Sequence, residues 1–97
     1  MDPDELKKAI LEKLTTVIDP ETGVDVISMK LVQELQVDEA GKATYIFRPS
    51  SPLCPLAVSL ALGIMDAIRS VEGVKDQDIT VVDYIQADML NKMLKSV

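Results

Sequence analysis

Apolar and polar residues follow two different periods along this chain, and the first period is helical. Residues 3–18 carry apolar side chains three or four positions apart, which is typical of one face of an amphipathic α-helix. Asp2 suits the N-cap and Pro3 the first helical position. Pro20 ends the pattern because it pushes Asp19 out of the helical region of the backbone. The apolar positions that should share the buried face are Leu6, Ile10, Leu14, Val17 and Ile18.

The next two segments change to a period of two, which predicts strands. Residues 31–38 place Leu31, Leu35 and Val37 on one face and polar side chains on the other. Residues 38–42 have the composition of a hairpin turn. Residues 43–48 then return with apolar side chains at alternate positions, and the pattern predicts two antiparallel strands. The inward positions of the second strand are Ala43, Tyr45 and Phe47.

The second half of the chain predicts a helix, a strand and a last helix. Residues 55–71 are apolar around most of the helical circumference, which indicates a helix buried by more than one neighbour, and Gly73 is a C-cap. Part of this surface could be covered by another subunit, although the central helix of an α+β sandwich has the same pattern. Residues 78–85 predict a third strand and residues 88–97 a helix that docks. We expect a single domain over residues 1–97 with an α+β fold: a small mixed three-stranded sheet, helices packed on one face, and the order α-β-β-α-β-α.

Charge and composition exclude several classes of function. The 97 residues carry a net charge of −6, which disfavours nucleic acid and anionic membranes as partners. No apolar run reaches membrane-spanning length, and the N-terminus is acidic where a signal peptide would be basic. We therefore expect a cytoplasmic protein. Because the chain has no histidine and one cysteine, it lacks the commonest general base, and no disulfide framework can form.

The one cysteine, Cys54, follows two prolines and precedes Pro55 at the start of the apolar helix. Pro55 suits the first helical position, which makes Cys54 the N-cap. Unpaired backbone N–H groups and the helix dipole at that position favour a thiolate, which is the reactive and metal-binding form. The alternative is that Cys54 is a small buried hydrophobic residue, as free cysteines often are. The local sequence leaves both interpretations open.

Several motifs, in order, resemble the metal-sulfur cluster assembly family, which includes SufT-like and PaaD-like proteins. They are Asp19-Pro20-Glu21 with Gly23-Val24, then Lys30-Leu31-Val32 opening a strand, then Pro52-Leu53-Cys54-Pro55 opening a helix that ends in Glu72-Gly73-Val74. The resemblance covers roughly residues 6–85. It implies an α+β fold and a role in maturing iron-sulfur proteins, with Cys54 as the cluster-binding residue. It also places Asp19 and Glu21 in the acidic turn, where they are candidate metal ligands beside Cys54.

Ligand chemistry limits what this resemblance implies. An iron-sulfur cluster normally takes four thiolate ligands, and one cysteine cannot supply them. Carboxylates such as Asp19 and Glu21 are harder ligands and fit a cluster poorly, so a helix stop plus turn is an equally good interpretation of both. We therefore expect a transient iron-sulfur cluster or iron, with none bound stably by the monomer. The remaining ligands would come from a homodimer, a small thiol or a partner protein.

The expected function is that of an adaptor or transfer factor rather than an enzyme. Its partners would be iron-sulfur assembly machinery and client proteins, and Cys54 would act as a ligand or transfer thiol. The alternative from a different class is a protein interaction module without metal chemistry, in which the apolar helix docks a partner and Cys54 is a buried packing residue.

Overall fold

The computed structural model describes residues 2–20, 22–49 and 57–95. Helices and strands alternate in the predicted order α-β-β-α-β-α, which confirms the α+β fold. The elements are α1 (Pro3–Leu14), β1 (Val32–Val37), β2 (Lys42–Phe47), α2 (Ala57–Arg69), β3 (Asp76–Val81) and α3 (Ala87–Lys95).

The sheet is mixed, as predicted, with the strand order β1-β2-β3. β1 pairs with β2 in antiparallel register, with Val32 opposite Phe47. β2 pairs with β3 in parallel register, with Phe47 opposite Val81. A parallel pair needs a crossover connection, and α2 lies between these two strands in the chain. The carboxyl ends of β2 and β3 therefore meet at one end of the sheet.

A bulge in β1 adjusts the predicted alternation. The register with β2 shifts between Gln33 and Gln36, and Glu34 has a left-handed φ of 51°. The extra residue lets Gln33 pair with Ile46 while Leu35 is still buried. The prediction that Leu35 faces the core is therefore confirmed, and Leu31 is buried just before the strand begins.

The core lies between the sheet and the first two helices. α1 packs against α2 and β1, and α2 packs against β3. Tyr45 ties the layers together, because its hydroxyl donates to Oε1 of Gln77 (2.8 Å) and Nε2 of Gln77 donates to the Met65 carbonyl of α2 (3.0 Å). Burial, and after it the charge of Asp78, raises the pKa of Tyr45 above its ordinary value. The phenol therefore stays neutral and remains a hydrogen-bond donor.

α3 packs beside β3 and buries Leu90 and Leu94. The Val81 amide donates to Oδ1 of Asn91 (2.7 Å), and Nδ2 of Asn91 donates back to the Val81 carbonyl (3.1 Å). One side chain thus makes the two hydrogen bonds that a neighbouring strand would make. The docking of the C-terminal helix is therefore confirmed, and this helix covers the end of β3.

α1 is shorter than the sequence pattern predicts: the pattern extends to residue 18, but the helix ends at Leu14. The hydroxyls of Thr15 and Thr16 donate to the Glu12 and Lys13 carbonyls at 2.6 Å, so the last carbonyls are satisfied without a further helical turn. The prediction that Ile18 shares the buried face was wrong, since it lies past the helix and is 48% exposed.

β3 also ends earlier than predicted, at Val81 instead of residue 85. Its ladder partner β2 ends at Phe47, and the Val82 amide still donates to the Phe47 carbonyl (3.1 Å). Asp83 then adopts a left-handed φ of 52°, which turns the chain toward α3. Because a strand needs a partner, the end of β2 sets the end of β3.

α2 ends at Arg69, short of the predicted residue 71, and Gly73 has a left-handed φ of 102° in the turn that follows. The predicted start of α2 at Pro55 lies outside the described residues. None of the helices in the described ranges is long and apolar enough to cross a membrane.

Candidate functional site

Of the three residues predicted to form the site, the structure describes one. Asp19 is described, and its side chain is completely buried. Glu21 and Cys54 lie outside the described residues. The grouping of Cys54 with the two carboxylates therefore stays a prediction.

Both ends of the segment that carries Cys54 are anchored in the core. Residues 50–56 connect the carboxyl end of β2 to the start of α2. Pro49, just before the segment, is buried, and so is Ala57, just after it. The Arg48 amide donates to the Leu31 carbonyl at 2.7 Å, which fixes the chain where it leaves the sheet.

An ion pair that the sequence analysis did not identify lies at the same end of the sheet. Nε of Arg48 is 2.9 Å from Oδ2 of Asp83, and both side chains are more than half exposed. The parallel register that pairs Phe47 with Val81 brings together the residues that follow each strand. The sequence could have predicted this pair from the opposite charges of two residues that follow neighbouring strands. That prediction requires the ends of both strands to be known.

The acidic turn after α1 is held by its own backbone. The Asp19 carbonyl accepts from the amides of Gly23 (2.8 Å) and Thr22 (3.3 Å), and the Asp19 amide donates to the Val24 carbonyl (2.9 Å). Gly23 has a left-handed φ of 71°, which glycine adopts without steric cost. These bonds confirm the turn that the proline and glycine predict.

A second aspartate, Asp25, organises the residues that follow the turn. Its Oδ2 accepts hydrogen bonds from the amides of Ile27 (3.1 Å) and Ser28 (3.0 Å). Hydrogen bonds from the side chain and backbone of Ser28 hold the pKa of Asp25 below its ordinary value. This carboxylate was not singled out by the sequence analysis, although aspartates commonly bond amides two residues on in turns.

A chain of backbone hydrogen bonds connects the acidic turn with the start of the segment that carries Cys54. The Val26 amide donates to the Val17 carbonyl (3.0 Å), and the Leu31 amide donates to the Val26 carbonyl (3.0 Å). The Leu31 carbonyl accepts in turn from Arg48 (2.7 Å). Backbone hydrogen bonds thus connect Val17, on one side of the turn, and Val26, on its other side, to the end of β2 through Leu31.

The chemistry of the described side chains is limited. Within residues 2–20, 22–49 and 57–95, no group of three or more acidic, cysteine or histidine side chains could hold a metal ion. The chain has one thiol, and thiolates are the ligands that iron-sulfur clusters prefer. The assignment of Cys54 as a metal ligand therefore stays a prediction.

Comparison with known proteins extends this picture. A sequence model of the family described as iron-sulfur cluster assembly protein matches residues 7–81. An uncharacterized protein of Methanocaldococcus jannaschii is 33% identical over 89 residues, which are 92% of this chain and 94% of that protein. The Fe-S protein maturation auxiliary factor YitW of Bacillus subtilis is 34% identical over 77 residues, which are 79% of this chain and 76% of that factor.

The fold also recurs among solved structures. A domain of unknown function from Bacillus anthracis superposes with a TM-score of 0.76 and 24% sequence identity, covering 96% of this chain and 94% of that domain. At this identity the likeness speaks for the fold alone. The resemblance drawn from the sequence motifs is confirmed by the family match.

Proposed function

Because the chain belongs to the iron-sulfur cluster assembly protein family, we propose that it is an auxiliary factor in the maturation of iron-sulfur proteins. The observation that carries this proposal is the family match over residues 7–81, which spans the acidic turn and Cys54. The B. subtilis relative is named as an Fe-S protein maturation auxiliary factor, and the alignment with this chain covers 76% of its length. We further propose that the protein acts in the cytoplasm, with partner proteins, and does not turn over a substrate itself.

Cys54 is the residue that meets the cargo, which is an iron-sulfur cluster or iron on its way to a client protein. Its thiolate is a soft ligand, and its predicted place at the N-cap of α2 would favour the deprotonated form. The described residues on the two sides of its segment, Pro49 and Ala57, are both buried, so the chain enters and leaves this segment at the protein core. Cargo binding and release then depend on exchange between the Cys54 thiolate and the thiolates of partners.

In this proposal, the acidic turn after α1 supports the segment that carries Cys54. Asp19 is wholly buried, and its backbone makes three of the hydrogen bonds that hold the turn, with Thr22, Gly23 and Val24 as partners. Burial favours a role for Asp19 in the shape of the turn over direct contact with cargo. Glu21 stays the carboxylate predicted to reach a metal ion.

Ligand counting makes the loaded form an assembly. One thiolate per chain leaves most iron positions of a cluster without a ligand, and the chain contains no histidine. A homodimer supplies two thiolates only if the two loops lie near its two-fold axis, and a client protein or small thiol supplies the rest.

Anaerobic reconstitution tests this proposal. After reconstitution with ferrous iron, sulfide and dithiothreitol, size-exclusion chromatography should place iron and sulfide with a dimer or a thiol-containing complex. The variant Cys54→Ser should contain no iron or sulfide, and it should elute at the same volume as the unloaded native protein. If the reconstitution is repeated without dithiothreitol or any other added thiol, a stoichiometric cluster that co-elutes with the pure monomer would contradict the proposed mechanism.

A further inference from the structure

A cleft of about 760 Å³ lies at the end of the sheet where β2 and β3 begin. The first residues of these strands, Lys42 and Asp76, line it, together with the last residues of α2 and α3, Arg69 and Lys95. We call this space the basic cleft. The Cys54 segment leaves the opposite, carboxyl end of β2, so the basic cleft is separate from the candidate functional site.

The floor of the basic cleft belongs to the protein core. Met65, Ile79 and Leu94 line it, but each is at most 5% exposed, because their side chains pack inside the protein. Gln77 also lines the cleft, and its side-chain amide is already bonded to the Tyr45 hydroxyl and the Met65 carbonyl. A ligand would therefore meet the exposed rim of the cleft, which is charged.

The rim concentrates positive charge on an acidic protein. Four of the ten basic residues of the chain line the cleft, but only two of its sixteen acidic residues, which gives the cleft a formal charge of +2 in a chain of −6. The basic residues come from β2, from the end of α2, from the turn before β3 and from the end of α3. They are Lys42, Arg69, Lys75 and Lys95.

Carboxylates of the described residues do not pair closely with these cations. In the part of the chain that the structure describes, no carboxylate lies within 4 Å of any of the three lysines. Arg69 is 3.6 Å from Asp66, which is longer than a charged hydrogen bond of about 2.7–2.9 Å. The carboxylate of Asp76, on the rim itself, accepts from the Gln77 amide (2.8 Å). The basic side chains are thus available to an anion from solution.

Helix stabilisation accounts for only half of this cluster. Cations stabilise the carboxyl end of a helix through its dipole, which explains Arg69 and Lys95 in the last turns of α2 and α3. Lys42 begins a strand, and Lys75 lies in the turn before β3, so neither has a helix end to stabilise. Like charges brought together from four parts of the chain repel each other unless an anion lies between them.

We propose that the basic cleft binds the oligophosphate group of a small molecule. Adjacent phosphates carry several negative charges and present oxygens in several directions, which suits cations on separate elements. The Arg69 guanidinium can donate two parallel hydrogen bonds to a phosphate, whereas the lysines act as point charges. The volume of the cleft is that of a small-molecule site, and a long nucleic acid would be repelled by the rest of the acidic chain. This site goes beyond the proposed function, because it lies at the other end of the sheet from Cys54.

Titration of the intact protein with inorganic tripolyphosphate tests the proposal. Binding is measured by isothermal titration calorimetry without divalent cations, at low and at high salt, with citrate and sulfate at matched ionic strength for comparison. We expect one tripolyphosphate per chain, weaker binding at high salt, and citrate and sulfate at least about tenfold weaker. Adenosine triphosphate carries the same group: tighter binding than tripolyphosphate would identify the ligand as a nucleotide, and weaker binding as an oligophosphate without a nucleoside.

Matched variants locate the binding. Lys75→Gln with Lys95→Gln removes two charges from the rim and should weaken binding of tripolyphosphate by about tenfold or more. Lys8→Gln with Lys13→Gln removes the same charge from exposed positions of α1 outside the cleft, and should change binding less than about twofold. Circular dichroism of both double variants verifies that they are folded.

Amide chemical shifts of the native protein give an independent location, since tripolyphosphate should shift the resonances of Arg69, Lys75 and Lys95 more than those of α1. The proposal is overturned if tripolyphosphate does not bind, or if the two double variants lose binding equally. It is also overturned if citrate or sulfate binds as tightly, because the cleft would then respond to charge alone. Without binding, the basic residues would only stabilise the helix ends and balance the acidic surface.

Discussion

Asp19 is a completely buried acidic residue, whereas the other buried residues that form the core are hydrophobic. Taking a carboxylate out of water is unfavourable unless the surrounding structure compensates for it. Its backbone amide and carbonyl make the hydrogen bonds that close the turn after α1. The sequence predicts Asp19 both as part of a helix stop and turn and as a candidate metal ligand, and its burial favours the structural role.

Replacement of Asp19 should destabilise the fold. We predict that Asp19→Ala lowers the free energy of unfolding by roughly 1–3 kcal/mol, because a buried polar side chain is removed from a fixed environment. Asp19→Asn keeps the shape and should cost less. Guanidinium denaturation followed by circular dichroism measures both values.

The control for Asp19 is Glu39→Ala, at an exposed position of the β1–β2 turn, which should change the free energy of unfolding by less than about 0.5 kcal/mol. If Asp19→Ala unfolds at the same denaturant concentration as the native protein, the buried carboxylate does not stabilise the turn.

At the scale of elements, the β1–β2 turn depends on a close backbone approach at Gly41. This glycine has a left-handed φ of 85°, and a Cβ atom there would lie 2.6 Å from the Gly73 carbonyl oxygen. The Lys75 amide donates to the Gly41 carbonyl (2.9 Å), which ties the hairpin to the turn before β3. Two turns far apart in the sequence are thus packed backbone to backbone.

Two glycine substitutions separate steric contact from backbone strain. Gly23 also has a left-handed φ, of 71°, but a Cβ atom there would meet nothing within 4 Å. We predict that Gly23→Ala costs roughly 1–2 kcal/mol, for the left-handed conformation alone. Gly41→Ala should cost clearly more, because the Gly73 carbonyl must also move. Equal losses in chemical denaturation would show that the close approach is not important for stability.

The docking of α3 has a polar component that can be removed separately. We predict that Asn91→Ala lowers the free energy of unfolding by roughly 1–3 kcal/mol, because both backbone groups of Val81 lose their partner. Hydrogen exchange of the Val81 amide, measured by NMR, should become faster.

The control is Lys92→Ala, at an exposed position of the same helix, which should leave Val81 exchange unchanged. Unchanged exchange in Asn91→Ala would mean that the apolar contacts of Leu90 and Leu94 alone hold α3 in place.

Element types and order could be predicted from the sequence because they follow from hydrophobic periodicity, and Tyr45 and Phe47 lie in the core as their alternation requires. Element ends could not be predicted in the same way. α1 ends where threonine hydroxyls satisfy its carbonyls, and β3 ends where its partner strand ends. Both events depend on hydrogen bonds that a pattern of apolar residues does not encode.

For the candidate site as well, local features could be predicted from the sequence and long-range contacts could not. Cys54 could be identified from its prolines and from the family resemblance, and the turn at Asp19 from Pro20 and Gly23. The Arg48–Asp83 ion pair could not, because the two residues meet only through the parallel register of β2 and β3. Long-range pairs of this kind become visible once the strands are aligned.

At the scale of the whole molecule, the sheet has two distinct ends. The end where β2 and β3 finish holds the Arg48–Asp83 pair and the start of the Cys54 segment. The other end holds the basic cleft. In our proposed function, the first of these two ends carries the residue that binds the cluster.

The most direct test of the central claim replaces the sulfur of Cys54 by oxygen. Serine can also cap a helix, but its hydroxyl is a much poorer ligand for iron-sulfur clusters. We predict that Cys54→Ser folds and accumulates like the native protein, and that Ser59→Ala, at an exposed position of α2, behaves as native. Client enzyme activity is measured in cells that lack their own factor of this family, at matched levels of folded protein. Cys54→Ser should give only the activity of cells without the factor, whereas full client activity with Cys54→Ser would contradict the account.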